Sequence, residues 1–542
     1  MKAGLLLLLA ALALGCGLAD GLARARVARA GAARTCAGTG ASCTPLHALR
    51  LRGGAKTGGL DAAGAVGGAF SLARVVSTAT ATPTSFFNAI FLGLLSGVGL
   101  LKGSALIKRH EESNTDATLS KPASVKSLQA RFLVVFWLLR MADWLQGPYF
   151  YEVYSSKVIN GSPVSLDMVS KLFLVGFAST GIFGPWIGKA VDSIGRKAGT
   201  LAFAVLYTLG ALSTRSSLLP VLLAGRVAGG IGTSLLFSAP EAWLVGEHQR
   251  EKHDDRWLGD TFGLAYAGDA LVAIGAGQLA SAAAAVSGPT GPFTASVVFL
   301  VLGAAIAGLK WGENTSNPAS PPAAAADATA TASKPRPTIP DALAVMKSDR
   351  KILLVGAMQA LFEGAMYIFV LQWCPAIKAA VQASPLWAGS AAASVVPFGK
   401  IFSCFMANCL LGATLFSAIR SSGKVKIEHS AAAMMVAAAA SMTVATKAVS
   451  SATPSLGLLI ASFFAFEATV GMYFPSIGTL RGKYIPDSHR SVIMNIFGLP
   501  LNVIVVGVFL SIKYLGVAGA MSIASGSLSI AALCAIALAR GA

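Results

Sequence analysis

Asp143, Gln146 and Tyr149 follow one another at three-residue spacing in an otherwise apolar stretch, with Trp144 beside them. On a helix that spacing places the three on one face, a polar stripe suited to lining a cavity within a helical bundle. Farther along, Arg226, Glu363 and Glu467 each interrupt an apolar segment, and Asp269 and Lys400 add charges in or near others. An ionisable group in such a setting is expensive unless it faces protein or water. The carboxylates then have two uses: proton or ion coupling, or neutralising Arg140 or Arg226 to hold helices together. Arg226 either meets an anionic substrate, pairs with a helix carboxylate, or snorkels to a nearby boundary, since it lies only a few residues into its segment. No activated nucleophile, phosphate loop or His/Cys cluster accompanies these residues, so neither enzymatic activity nor a cofactor or metal is expected.

The elements that must hold these side chains are long and apolar. Of 542 residues, 54% are hydrophobic and 12% charged. From Arg131 to Ala539 the chain runs through apolar segments of about 20 residues, the length of a bilayer-crossing helix. Buried strands of a soluble enzyme would be four to eight residues long and broken by turns. Twelve such segments are divided six and six by Trp311–Asp349, whose Pro- and Ala-rich centre reads as an exposed linker. The expected fold is an all-α multi-pass membrane protein of two six-helix bundles, 128–310 and 350–540, joined by a cytoplasmic linker, 311–349. A further transmembrane helix is expected at 85–107. Residues 1–20 have the plan of a signal peptide. Residues 21–84, rich in Arg and nearly free of acids, read as a disordered tail or a second sorting segment. The run Gln146–Phe150 is faintly echoed by Glu363–Tyr367, and six-plus-six architecture with weak repetition is common among secondary transporters.

Charge placement gives the orientation. With Lys189, Arg196 and Lys197 on the cytoplasmic side, the same side receives Lys108, Arg109, Arg250, Arg256, Lys347, Arg350, Arg420, Arg481 and Arg490. The opposite loops carry only scattered basic residues such as Lys157, Arg215, Lys378 and Lys513. This positive-inside pattern accounts for most of the net +19. The basic balance therefore points to a lipid bilayer as partner, not to nucleic acid. Cys36 and Cys43 could pair in an oxidising compartment, and Asn160-Gly161-Ser162 is a glycosylation sequon close to the membrane in an outer loop.

Gly188-Lys189-Ala190-Val191-Asp192-Ser193-Ile194-Gly195-Arg196-Lys197 closely resembles the G-x-x-x-D-x-x-G-R-K signature of the major facilitator superfamily. Its glycines allow a tight turn and close helix approach. Asp192 can cap the following helix or pair with a basic group, so Gly188, Asp192, Gly195, Arg196 and Lys197 are read as gating residues. Arg226-Val227-Ala228-Gly229-Gly230-Ile231-Gly232 resembles the superfamily's R-x-x-x-G-x-G element. More specific are Ala142–Tyr149, Leu236–Trp243, Gln359–Glu363, Gly471–Ile477 and Trp311–Asn314, which resemble the molybdate-anion transporter branch over about 85–540. One departure is Pro240-Glu241-Ala242-Trp243, where that branch has Phe-Glu-Ala-Trp. The carboxylate and indole are kept while the helix geometry can differ.

That resemblance implies molybdate uptake by alternating access, with the halves rocking about a central site. A tetrahedral dianion needs several donors and a compensating cation, supplied by Arg226 with Gln146, Trp144 and Tyr149. Glu241 joins the candidates through its motif. Protonation of Asp143, Glu363 or Glu467 would bias the equilibrium, so protons are candidate coupling ions. Sulfate has nearly the same size, charge and acceptor geometry, so another anion or organic solute stays an alternative substrate. A non-transporting sensor or scaffold is the alternative outside transport. The chain is expected to act as a monomer in the plasma membrane, with another secretory-pathway or a plastid-type membrane as the alternative.

Overall fold

The computed structural model describes residues 78–113, 121–315 and 339–541, apart from Ala388 and Thr453. The expected signal peptide, most of the basic tail with Cys36 and Cys43, and the middle of the central linker lie outside the described residues. A first helix, α1 (Pro83–Ser113), begins where Thr82 accepts the Ser85 amide hydrogen at 3.1 Å.

The N-terminal half opens with α2 (Ala123–Gln146), which runs through a 3₁₀ turn at Gly147–Tyr149 into α3 (Phe150–Ser155). Pro148 sits in that turn, where its lost N–H is not missed. A two-residue hairpin at Val158–Pro163, with Asn160 and Gly161 at positive φ, leads into α4 (Leu166–Ile194), capped by Ser165. Then come α5 (Arg196–Ser213), α6 (Leu219–Leu236), α7 (Ala239–Arg250), α8 (Asp255–Ser287) and α9 (Gly291–Lys310).

The C-terminal half comprises α10 (Ile339–Ser348), α11 (Arg350–Ala383), α12 (Phe398–Ser421), α13 (Ile427–Ser450), α14 (Leu456–Tyr484) and α15 (Arg490–Arg540). The last is two passes joined at Gly516, whose φ is 60°. Among the described residues, eight helical segments are long and apolar enough to cross a membrane. Two of them double back, at Gly288–Thr290 and at Gly516. The remaining passes are α2, which carries Lys126, Arg131, Arg140 and Asp143, and α5, which starts on Arg196 and Lys197. Their charges lower the apolar signal, and packing within the bundle covers the difference. Twelve passes in two six-helix bundles result.

Both described ends of the segment 311–349 pack onto the bundles. Trp311 is buried and stacks on Trp243 with ring centroids 3.8 Å apart. Its indole donates to the Arg131 carbonyl at 3.0 Å. At the other end, Ala342 and Met346 of α10 pack with Ile352, Ile485, Ile493 and Phe497. The α10 end is drawn onto the bundle by apolar side chains one helical turn apart, and the 311 end by the stacking and hydrogen bond of Trp311.

The halves touch at the end opposite the 188–197 loop. Lys378 bonds both Glu152 oxygens at 2.8 and 2.9 Å. Ser403 donates to the Ile274 carbonyl at 2.7 Å, and the Trp144 and Phe402 rings lie 5.8 Å apart. Gly277 and Gly399 bring α8 and α12 into backbone contact.

Candidate functional site

Gln146, Tyr207, Arg226 and Thr233, with Phe150 and Phe293, line a cavity of about 90 Å³ inside the N-terminal half. Arg226 lies seven residues into α6, roughly 10 Å along its axis at 1.5 Å per residue. Its guanidinium turns into the bundle: it donates to the Leu172 carbonyl at 3.2 Å and stacks over Phe150 at 4.6 Å from the ring centre. Among the described residues no carboxylate forms an ion pair with it. Gln146 donates to Ser296 at 3.0 Å. Gly230, in the motif that carries Arg226, faces the Gly176 carbonyl so closely that a Cβ would collide with it. The arginine is therefore placed by a glycine that brings α6 against α4.

A second arginine of this half is already neutralised. Arg140 makes two parallel hydrogen bonds to Asp269, both 2.9 Å, in the bidentate geometry that guanidinium and carboxylate favour. Asp143 sits 3.6 Å from Arg140 and accepts from Tyr207 at 2.5 Å. The Trp144 indole donates to Asp269 at 2.9 Å. The three polar-stripe members thus part company. Asp143 and Trp144 belong to the Arg140–Asp269 cluster, Gln146 faces the Arg226 cavity, and Tyr149 faces a separate cavity at the end away from the 188–197 loop, with its hydroxyl 3.5 Å from Ser281.

The remaining candidates stand elsewhere. Pro240 occupies the first turn of α7, which restarts after a break at Phe237–Ser238, and Glu241 accepts from Tyr266 at 2.5 Å. Glu363 accepts from Tyr473 at 2.8 Å and from Arg481 at 3.3 Å. Glu467 is buried at the α12–α14 contact with no hydrogen bond or ion pair among the described residues. Arg226, Glu363 and Glu467 therefore do not share one pocket. Sequence reasoning did not single out Tyr207, Thr233, Tyr473 or Arg481. Tyr473 lay in a quoted motif, but nothing in the sequence paired it with Glu363.

The 188–197 loop is clamped from outside its own sequence. Glu313 accepts the amide hydrogens of Lys197 and Ala198, both at 2.9 Å, and so caps α5, one of the two roles open to Asp192. Asp192 takes the other, lying 3.7 Å from the basic Arg196. At Gly195, φ is 128° and the Glu313 carboxyl occupies the space a Cβ would need, so both backbone and packing demand glycine. Lys197 also donates to the carbonyls of Gly308 and Trp311 at 2.8 and 3.0 Å.

Twelve passes in two bundles, an arginine turned into one bundle beside a cavity without a carboxylate partner among the described residues, and a clamped glycine-rich loop define the architecture of a multi-pass membrane transporter. The solved structures point to the same fold. A POT family transporter, PepTSo, superposes with a TM-score of 0.56 at 13% identity, covering 78% of this chain and 99% of its own. A D-xylose–proton symporter gives 0.56 at 13% identity, covering 76% and 96%. Residues 86–467 match a major facilitator family profile described as sugar transporters with 12 transmembrane helices. A protein of Xenopus tropicalis named molybdate-anion transporter is 30% identical over 429 residues, 78% of this chain and 86% of its own length. One of the same name from Takifugu rubripes is 29% identical over 434 residues, 77% and 86%. The chain belongs to this molybdate-anion transporter family of the major facilitator superfamily.

Proposed function

We propose that the protein carries molybdate, or a closely related tetrahedral oxyanion, across the membrane by alternating access. The observation that carries this reading is Arg226, a cation inside the bundle with no carboxylate partner among the described residues, beside the Gln146 amide and a small cavity. A cation kept in that setting without a counter-ion invites an anion to supply one. The relatives named for molybdate supply the identity of the anion, and sulfate is the competitor that the same donors would accept. The contacts at the outer end correspond to a state closed on that side. Reopening there requires the Glu152–Lys378 pair to part.

Coupling to protons belongs to the same proposal, with Asp143, Glu363 and Glu467 as the candidate carriers. Glu467 differs from the other two in having no partner to surrender when it takes or releases a proton. The remaining parts of the proposal are a monomer in the plasma membrane, α1 as a thirteenth crossing and the 188–197 loop as a cytoplasmic gate.

The test is molybdate uptake at low external concentration in cells expressing the chain, with an excess-sulfate arm. Saturable uptake that resists sulfate is expected, and Arg226→Ala should abolish it while the protein still reaches the membrane. Normal uptake by that variant would remove Arg226 from the substrate role. No uptake by the correctly inserted wild type would move the substrate to another solute.

A further inference from the structure

At the outer end of the halves lies a second, larger cavity of about 470 Å³, bordered by Tyr149, Glu152, Gln278, Ser281, Lys378 and Lys400. Its donors outnumber their partners. Lys400, two residues into α12, makes no ion pair among the described residues; its ammonium donates to the Asn88 side-chain oxygen of α1 at 2.7 Å. The buried Nε2 of Gln278 has no acceptor. The Tyr149 hydroxyl lies 3.5 Å from Ser281, at the limit of a hydrogen bond, and against the backbone of Gly399. Lys378 is neutralised by Glu152 across the interface between the halves, but parting that pair would add a second cation to the rim.

We infer that this cavity is an outer oxyanion site, in which Lys400, Gln278 and Tyr149 take up the anion before it reaches Arg226. The inference rests on the oxyanion reading above and adds a second station to it. A tetrahedral dianion can accept from all three donors at once, and each bond to it is charge-assisted. Lys400 supplies the one cation that needs no prior rearrangement. The Glu152–Lys378 pair closes the cavity toward the outside in this state and becomes an additional donor as the halves separate. The polar stripe seen in the sequence thus serves two stations, Gln146 the inner and Tyr149 the outer.

The experiment is uptake kinetics of molybdate, with sulfate as a second probe, for the full chain and three variants at matched surface level. Lys400→Met should raise KM about tenfold, the worth of one charge-assisted contact, while Vmax changes little. Gln278→Leu should raise KM about threefold by the same scale and reads the site if the lysine variant fails to reach the membrane. Trp387→Phe cuts the hydrogen bond from Trp387 to the Thr80 carbonyl, which ties down the start of α1 outside the cavity. Its KM should stay at the wild-type value. Unchanged KM in Lys400→Met and Gln278→Leu, with an active wild type, overturns the outer site alone. A KM in Trp387→Phe as high as in Lys400→Met also overturns it, because Lys400 would then only anchor α1. A wild type that takes up neither anion overturns the oxyanion reading and this site with it.

Discussion

The Arg140–Asp269 pair gives the sharpest quantitative expectation. Asp269 is buried and receives three hydrogen bonds, two from Arg140 and one from the Trp144 indole, all 2.9 Å. Asp269→Ala orphans all three donors and leaves a guanidinium that is itself 8% exposed. Breaking a buried pair from one side costs about 3–5 kcal/mol. Asp143, 3.6 Å away, can take part of the load, which sets the expectation near the lower end, about 3 kcal/mol. That corresponds to roughly a hundredfold shift in the folding equilibrium. Ordinary neutral hydrogen bonds between membrane helices average only about 0.6 kcal/mol in double-mutant cycles, so the two cases are well separated. The assay is reversible unfolding of the purified protein in mixed micelles, as a cycle of Asp269→Ala, Arg140→Met and the double variant. A coupling above about 1.5 kcal/mol is expected, well beyond that neutral average. Coupling at or below the neutral average would show that the pair is not a buried ionic tie and refute the reasoning.

Gly230→Val should drive α6 away from the Gly176 carbonyl and cost about 1–3 kcal/mol as overpacking, lowering the unfolding midpoint in the same assay; an unchanged midpoint would mean the helices are not held at that distance. Glu152→Gln removes half of a partly exposed pair worth about 1 kcal/mol or less, so alkylation of an introduced Ser281→Cys from the outside should rise by up to about fivefold; no rise would place the outer closure elsewhere. Glu251, between α7 and α8, is desolvated by burial, yet the hydrogen bonds from Arg131 and His253 outweigh that and hold its carboxyl below the usual range. A depressed carboxyl contributes stability that is present above its unfolded value and is lost as pH falls through its folded one. Acid titration of unfolding should therefore show an acidic loss of stability that is smaller in Glu251→Gln, and identical curves would argue against that role.

The bundle was legible because its signals are repeated: span length, the six-and-six division and the basic loops each recur many times along the chain. The site was only partly legible. Arg226 stood out as a charge in an apolar segment, and its glycine motif foretold a close helix contact. Spacing on a single helix could not show that Asp143, Gln146 and Tyr149 face three different surroundings, because the 3₁₀ turn after Gln146 and the arrival of α5, α8 and α9 set those surroundings. Asp269 was visible as a charge, but its 129-residue separation from Arg140 hid the pair. Glu313 was likewise part of a motif with no hint that it would cap α5. Such ties form between distant segments and leave no local period to read.

The docking of α1 bears on how the chain is made. Asn88 reaches Lys400 across 312 residues of sequence, and Thr80 meets Trp387 across 307. A ribosome adding about 5–20 residues per second needs roughly 15–60 s to produce those partners after α1 has emerged. Through that interval α1 stands without these partners, its Asn88 carboxamide lacking the ammonium that later satisfies it. Helix α1 is thus made early and seated late, and its seating requires that the chain has been extended into α12.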